Sequence, residues 1–366
     1  MTAVSTTEQA PRAVSGPDQS IMIGEVPVGT AHEPFIIAEM SGNHDGSLEK
    51  ALEIVQVAAD SGAHAIKLQT YTADTITLDV DSPDFRLSED HPLWGGRRLY
   101  DLYEEAHTPW EWHEPIFTKA RELGLLAFSS PFDPTAVDFL EGLDVPAYKI
   151  ASSEIVDLPL VRCAAATGKP IIISTGMASV GEIHAAVEAA RSVGNEQIIV
   201  LSCTASYPAD PAASNLRGIP VMAHTFQTPI GLSDHTMGIG AAVASIAFGA
   251  VLVEKHVTIS REEGGVDSDF SLEPHELKAL REETATAWKA LGQPRIGARE
   301  SEREGLRFRR SLYVTRDVTA GEPVSAANVR SVRPSLGLPP DTFALLEGKT
   351  FAHDVAKGTP MSWDLV

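Results

Sequence analysis

The sequence predicts an α/β protein, a (β/α)₈ TIM barrel followed by a small β-rich module at the C-terminal end. Three observations carry that expectation. From about residue 35, eight short apolar runs alternate with amphipathic helical stretches. Nearly every run ends in polar or charged side chains. After a charged stretch with Gly and Pro at 291–305, the rhythm changes to short strand-like pieces, glycine turns and little helix.

Residues 1–20 are rich in Ser, Thr, Pro and Gln and read as a disordered leader, without the charged start and apolar centre of a secretion signal. The barrel domain is expected over 21–290. Its strands are FIIAEM (35–40), HAIKLQT (64–70), LLAFSSP (125–131), AYKIAS (147–152), PIIIST (170–175), QIIVLSC (197–203), PIGLSDH (229–235) and AVLVEKHV (250–257). Helical patterns such as LEKALEIVQVAADSG (48–62) and VGEIHAAVEAARSVG (180–194) lie between them, the second closed by glycine, a common helix stop. Alternation of this kind implies parallel strands joined by crossovers, and eight units suit a closed barrel better than an open doubly wound sheet. Residues 71–110, rich in Asp, Trp, Tyr and Arg, form a long insertion after the second strand. In a compact barrel such a loop reads as a lid or binding element. Residues 291–305 read as a linker, and 306–366 as the small module. A module that small is near the lower limit for independent stability and should lean on a partner surface.

The formal charge is −21, from 50 acidic and 29 basic side chains. That field repels nucleic acid and anionic lipid, so neither is expected as a partner, and an anionic substrate would need a local cationic cluster. Two cysteines, Cys163 and Cys203, are too few for a disulfide framework and suit a reducing cytosol. No apolar run approaches the roughly 20 residues that span a bilayer. A cytoplasmic location is expected.

Polar groups at the carboxyl ends of barrel strands mark an active face. Here they are Glu39, then Asn43 and His44; Lys67 and Gln69; Ser129 and Ser130; Lys149, Ser152 and Glu154; Ser174 and Thr175; Ser202 to Thr204; Ser233, Asp234 and His235; and Glu254, Lys255 and His256. Solvation explains any one of these strand ends, but explains all eight together poorly. Side chains alternate faces with period two, so Lys67 and Gln69 should point into the mouth while Ile66 and Leu68 pack outward. Glu254 and His256 should likewise share a face opposite Val253 and Lys255. A lysine in an apolar strand needs an anion. For Lys67 and Lys149 that anion is either a shared ligand or a nearby carboxylate such as Glu39 or Glu154. His235 and His256 end neighbouring strands and could hold a divalent metal, in an open site rather than a closed structural zinc site.

The ordered motifs IAEMSGNHDGSLEKA (37–51), KLQTY (67–71), FSSPFD (128–133), YKIASSE (148–154), ISTGMAS (173–179), LSCTASYP (201–208), GLSDHT (231–236), VEKHVT (253–258) and DSDFSLEP (267–274) resemble the sialic acid synthase family. RRSLYV (309–314) and VRPSLGLPP (332–340) resemble its C-terminal SAF module, a β-clip or antifreeze-like fold. The resemblance covers about nine-tenths of the chain. Within the insertion, YTADTITLD (71–79) and LWGGRRLYDLYEEAHTPWEWH (93–113) resemble the pseudaminic acid branch, with the legionaminic and N-acetylneuraminic acid branches as alternatives.

The resemblance implies condensation of phosphoenolpyruvate with an amino-sugar aldehyde and release of phosphate. It implies Glu39, Glu154 and Lys149 as catalytic groups. Lys67, Gln69, Ser130, Ser152, Ser174, Thr204, Tyr207, Ser233, Asp267 and Arg310 would bind substrate. His235 and His256 would hold the metal, a divalent cation with Mn²⁺ first and Mg²⁺ or Co²⁺ as alternatives. Arg310 would reach a neighbouring subunit's site in a domain-swapped homodimer. Two departures stand out: Ser130 replaces the more common Thr, and Thr204-Ala205-Ser206 replaces an Asn-containing stretch. Cys203 reads as packing, since no base is assigned to it. Two other classes stay open: a Schiff-base aldolase using Lys149, and a non-catalytic sugar-binding protein.

Overall fold

The computed structural model describes residues 20–89 and 95–366. The expected leader, apart from Ser20, and the first two residues of the 93–113 motif lie outside the described residues. The chain forms two compact units, one ending at Gln293 and the other beginning at Pro294.

The first unit opens with an antiparallel hairpin, β1 (Ile21–Ile23) and β2 (Val26–Val28). Eight parallel strands follow: β3 (Phe35–Glu39), β4 (Ala65–Thr70), β5 (Leu126–Pro131), β6 (Tyr148–Ile150), β7 (Ile171–Ser174), β8 (Ile198–Cys203), β9 (Ile230–Ser233) and β10 (Leu252–His256). They close into a barrel by pairing β10 with β3. Each expected strand is present, trimmed by one to three residues. The hairpin, which alternation alone does not signal, sits beneath the start of β5. A Cβ at Gly24, where φ is +57°, would lie 2.8 Å from Leu126.

The helix Leu48–Asp60 shows why these segments fold as they do. Ser47 caps it by accepting the Lys50 N–H, and Ala51, Ile54, Val55 and Ala58 form one buried stripe against the barrel. Each fully buried Ile or Val adds about 1.5–3 kcal/mol. The 12-residue helix Val180–Arg191 starts with a reciprocal capping box between Ser179 and Glu182.

The insertion is not a bare loop. It contains the helices Ala73–Ile76 and Leu99–Ala106. Its far end is tied to the barrel by a Thr108–His44 contact of 3.2 Å and by the Trp110 indole donating to the Tyr71 carbonyl at 3.3 Å. These anchors are long-range, so local periodicity does not reveal them.

The second unit holds an antiparallel pair, β11 (Ser311–Val314) and β12 (Val329–Val332), over a small core that includes Leu312, Val329, Leu346 and Phe351. Gly337 allows the backbones to meet, since a Cβ there would come within 2.2 Å of the Leu312 carbonyl. No helix among the described residues is long and apolar enough to cross a membrane.

Candidate active site

Barrel closure sets the register that builds the site. His256 pairs with Glu39, and Glu39 with Lys67, so three strand-end groups stand side by side facing inward. Lys67 Nζ lies 2.6 Å from Glu39, 3.8 Å from Glu254 and 3.3 Å from the Ser130 hydroxyl. Lys149 Nζ reaches Glu254 at 3.5 Å and the Ile150 carbonyl at 3.4 Å. Ser233 donates to Glu254 at 3.3 Å.

Both lysines therefore meet carboxylates inside the chain. For Lys67 the partner is Glu39, as the sequence allowed. The close partner of Lys149 is Glu254 rather than Glu154. Glu254 belongs with the site residues although the motif reading gave it no role; its shared parity with His256 was the available signal.

Electrostatics separate these groups. Burial raises the Glu39 pKa against the pull of Lys67. Burial also acts upward on Glu254, but Lys149, Lys67 and His235 together hold it lowered. Burial lowers Lys149, whereas Glu254 and Glu39 overcome burial at Lys67 and raise it. Glu154 is pushed up to about 7, chiefly by burial, so near neutrality it can carry or release a proton.

The two histidines meet with ring centroids 5.3 Å apart. His235 Nδ1 lies 3.0 Å from the Thr204 carbonyl. A carbonyl only accepts, so Nδ1 carries the proton and Nε2 keeps its lone pair. His256 Nδ1 has no hydrogen-bond partner among the described residues, and the Asp267 carboxylate is 3.7 Å away. The Tyr207 ring packs on His235 at 4.5 Å, and Phe270 on His256 at 5.0 Å. Glu254 Oε2, Glu154 Oε2 and the Ser174 hydroxyl are also buried without a hydrogen-bond partner among the described residues. Buried polar atoms of this kind call for a polar ligand or ion.

A second polar chain flanks the layer. Gln69 donates to Glu39 at 2.9 Å and to Ser41 at 3.1 Å, and the Ser41 hydroxyl donates to Asp267. Ser41, absent from the motif-based set, thus links Gln69 to Asp267. Asn43 donates to the Val257 carbonyl and the Ser271 hydroxyl, tying the loop after β3 to the segment after β10.

Ser152 accepts the Gly176 N–H at 3.0 Å and sits 3.5 Å from Cys203. Position 176 is glycine because a Cβ there would lie 2.8 Å from both Ser152 and Ala205. The Thr204 hydroxyl bonds the Ala213 carbonyl at 3.3 Å, so it is the backbone of Thr204 that touches the site, through His235. Arg310 belongs to the second unit, is exposed there and donates to the Ser331 carbonyl. Cys163 and Cys203 are free thiols.

On the outer side of β10, Lys255 is enclosed. It donates to Asp234 at 2.9 Å and to the Thr236 and Gly238 carbonyls at 2.6 and 2.8 Å, bracketing His235 from both sides. Glu273, His275 and Glu276 form another group able to hold a metal, with ligand atoms within 4.8 Å of one another. The Arg261 guanidinium already contacts both of its carboxylates, and His275 is exposed.

Residues 54–295 match the model of the NeuB family, and 309–366 match the SAF domain. A pseudaminic acid synthase of Campylobacter jejuni is 43% identical over 329 residues, covering 90% of this chain and 95% of the relative. That of Helicobacter pylori is 38% identical over 333 residues, covering 90% and 97%. The crystal structure of the N-acetylneuraminic acid (sialic acid) synthetase from Leptospira borgpetersenii superposes with a TM-score of 0.70 at 32% identity, covering 79% of this chain and 95% of that one. The chain belongs to the NeuB family and carries a C-terminal SAF domain.

Proposed function

We propose that this chain is a pseudaminic acid synthase. It condenses phosphoenolpyruvate with 2,4-diacetamido-2,4,6-trideoxy-L-altrose and releases phosphate. The observation that carries this reading is the 43% identity to a synthase of that name across nearly its whole length.

C3 of phosphoenolpyruvate forms a bond to the aldehyde carbon, which takes up a proton on oxygen. Water adds at C2, and the C2–O bond to phosphate then breaks, leaving a 2-keto acid. Lys67 and Lys149 bind the carboxylate and phosphate, exchanging their carboxylate contacts for the ligand's charge. Ser130, Ser152, Ser174 and Ser233 supply hydroxyls around that anion, with Thr204 and Tyr207 at its edge. Glu39, Gln69 and Asp267 orient the acceptor. Glu154, with a pKa near 7, carries the proton that the new hydroxyl needs.

His235 and His256 fit a divalent cation, Mn²⁺ first and Mg²⁺ or Co²⁺ as alternatives. The fixed tautomer of His235 and the unpartnered nitrogen of His256 support this. Such an ion, when bound, supplies Lewis-acid polarisation of the aldehyde. We assign the chain to a domain-swapped homodimer in which Arg310 completes the partner subunit's mouth. The exposure of Arg310 and the thin core of its module support that assignment. Two free thiols suit a cytoplasmic location.

One observation favours a second reading. The lowered pKa of Lys149 would also serve a Schiff-base aldolase. Phosphoenolpyruvate labelled with ¹⁸O in the bridging position decides between them. The condensation delivers the label into phosphate and is indifferent to borohydride. Trapping by borohydride with the carbonyl substrate would establish the aldolase instead.

A further inference from the structure

Tyr71 and Phe132 are the first residues beyond β4 and β5. By strand parity Tyr71 continues the inward series of Lys67 and Gln69, and Phe132 continues that of Ser130. The Tyr71 ring is 3% exposed. It meets Phe132 at 5.0 Å and Tyr103 at 5.8 Å, both edge-on. Tyr103 comes from the insertion helix Leu99–Ala106, whose last residue packs against the loop after β3. A Cβ at Gly42 would lie 3.4 Å from the Ala106 carbonyl and from Val266, the neighbour of Asp267. Three aromatic rings from three segments thus pack together one inward position beyond Gln69, which belongs to the polar chain Glu39–Gln69–Ser41–Asp267. Burial raises both tyrosine pKa values, reinforced by Asp267 at Tyr71 and by Glu154 at Tyr103, so both phenols stay neutral beside the site carboxylates.

We propose that Tyr71, Tyr103 and Phe132 form the wall that receives the 6-methyl group of the acceptor and so select a 6-deoxy sugar over its 6-hydroxy counterpart. This rests on the condensation proposed above. Phosphoenolpyruvate rests on the lysines, so the aldehyde end of the acceptor that meets its C3 lies one inward position farther out, at the layer of Gln69 and Ser130. Two residues outward along a strand is about 6–7 Å. That is the reach of an open six-carbon chain, and it brings C6 from the layer of Gln69 and Ser130 to the rings. A methyl group gains contact there. A hydroxyl would give up its water for ring faces and, at most, one contact to a phenol. Tyr103 lies on the insertion helix Leu99–Ala106, so it is the member that can be changed without altering the end of a barrel strand.

The test uses the full-length enzyme and phosphate release at saturating phosphoenolpyruvate, with the 6-deoxy diacetamido sugar and its 6-hydroxy counterpart. The unaltered enzyme should prefer the 6-deoxy sugar in kcat/KM by about 10–100-fold. Tyr103→Ala should bring the ratio to within about threefold of one, mainly by raising KM for the 6-deoxy sugar, with KM for phosphoenolpyruvate unchanged. Tyr103→Phe should keep the preference. Tyr103→Asn, which tolerates exposure if the alanine variant misfolds and offers the 6-hydroxyl a partner, should move the ratio at least as far. Retention of the original ratio in the folded alanine variant or in the asparagine variant overturns the wall. Absence of any preference in the unaltered enzyme overturns the sugar assignment itself, so the two failures are distinct.

Discussion

Lys255, on the outer face of β10, and Lys149, in the barrel mouth, are buried to nearly the same extent, at 1% and 2% exposure. Their surroundings differ. Lys255 has three fixed acceptors, all within 2.9 Å. Among the described residues Lys149 has only longer contacts, of 3.5 Å to Glu254 and 3.4 Å to a carbonyl, beside buried oxygens without hydrogen-bond partners there. An ammonium group satisfied by the chain is structural; one left short of acceptors is arranged for a ligand. Burial and charge are alike in the two places, so the satisfaction of the donors is what separates scaffold from site.

The largest expected effect concerns His235, whose flanking residues Lys255 holds, and its neighbour His256 in the mouth. Chelation with EDTA should reduce turnover to background, and Mn²⁺ should restore it. His235→Ala should abolish Mn²⁺ binding measured by electron paramagnetic resonance. Full activity in the chelator would break the assignment of that face.

The two lysines themselves come next. Lys149→Met should lower kcat about 10²–10³-fold and change unfolding free energy by at most about 1 kcal/mol. Lys255→Met should do the reverse, costing about 3–5 kcal/mol in denaturant unfolding because Asp234 and two carbonyls lose their donor. Equal stability losses in the two variants would erase the distinction.

Glu154 sharpens it through pH. Its folded pKa, about 7, stands above the ordinary carboxyl value of 4.5. A raised carboxyl pKa leaves the folded state favoured at low pH and penalised as pH rises through 7. Glu154→Gln should therefore add about 1–3 kcal/mol of stability at pH 8 and almost none at pH 4, while turnover falls. Thermal unfolding at the two pH values reads this directly. A smaller effect is expected in the SAF unit, where Arg310→Ala should raise KM for the sugar about tenfold without altering barrel unfolding.

The architecture was legible because each strand is short, apolar and polar-tipped, and period-two parity placed Lys67 and Gln69 on the inward face and grouped Glu254 with His256, as the structure has them. Partnerships were less legible. Which carboxylate meets Lys149 depends on the closure of β10 onto β3 and β9, a contact between distant parts of the chain, so Glu254 could not be ranked above Glu154 in advance. Ser41 and the hydrogen bond from His235 to the Thr204 backbone escaped for the same reason, since loop backbones have no signature in residue type. The insertion resisted most. Its helices are short, only Leu102 and Ala73 are buried in them, and their position is set by tertiary anchors such as His44 with Thr108.

The central claim is the pairing of phosphoenolpyruvate with a 6-deoxy diacetamido sugar, and phosphate release in a head-to-head assay tests it most directly. With phosphoenolpyruvate and Mn²⁺, 2,4-diacetamido-2,4,6-trideoxy-L-altrose should release phosphate at a kcat/KM well above that of N-acetylmannosamine, and either substrate alone should release none. Faster release with N-acetylmannosamine, or release without a sugar, would contradict the account.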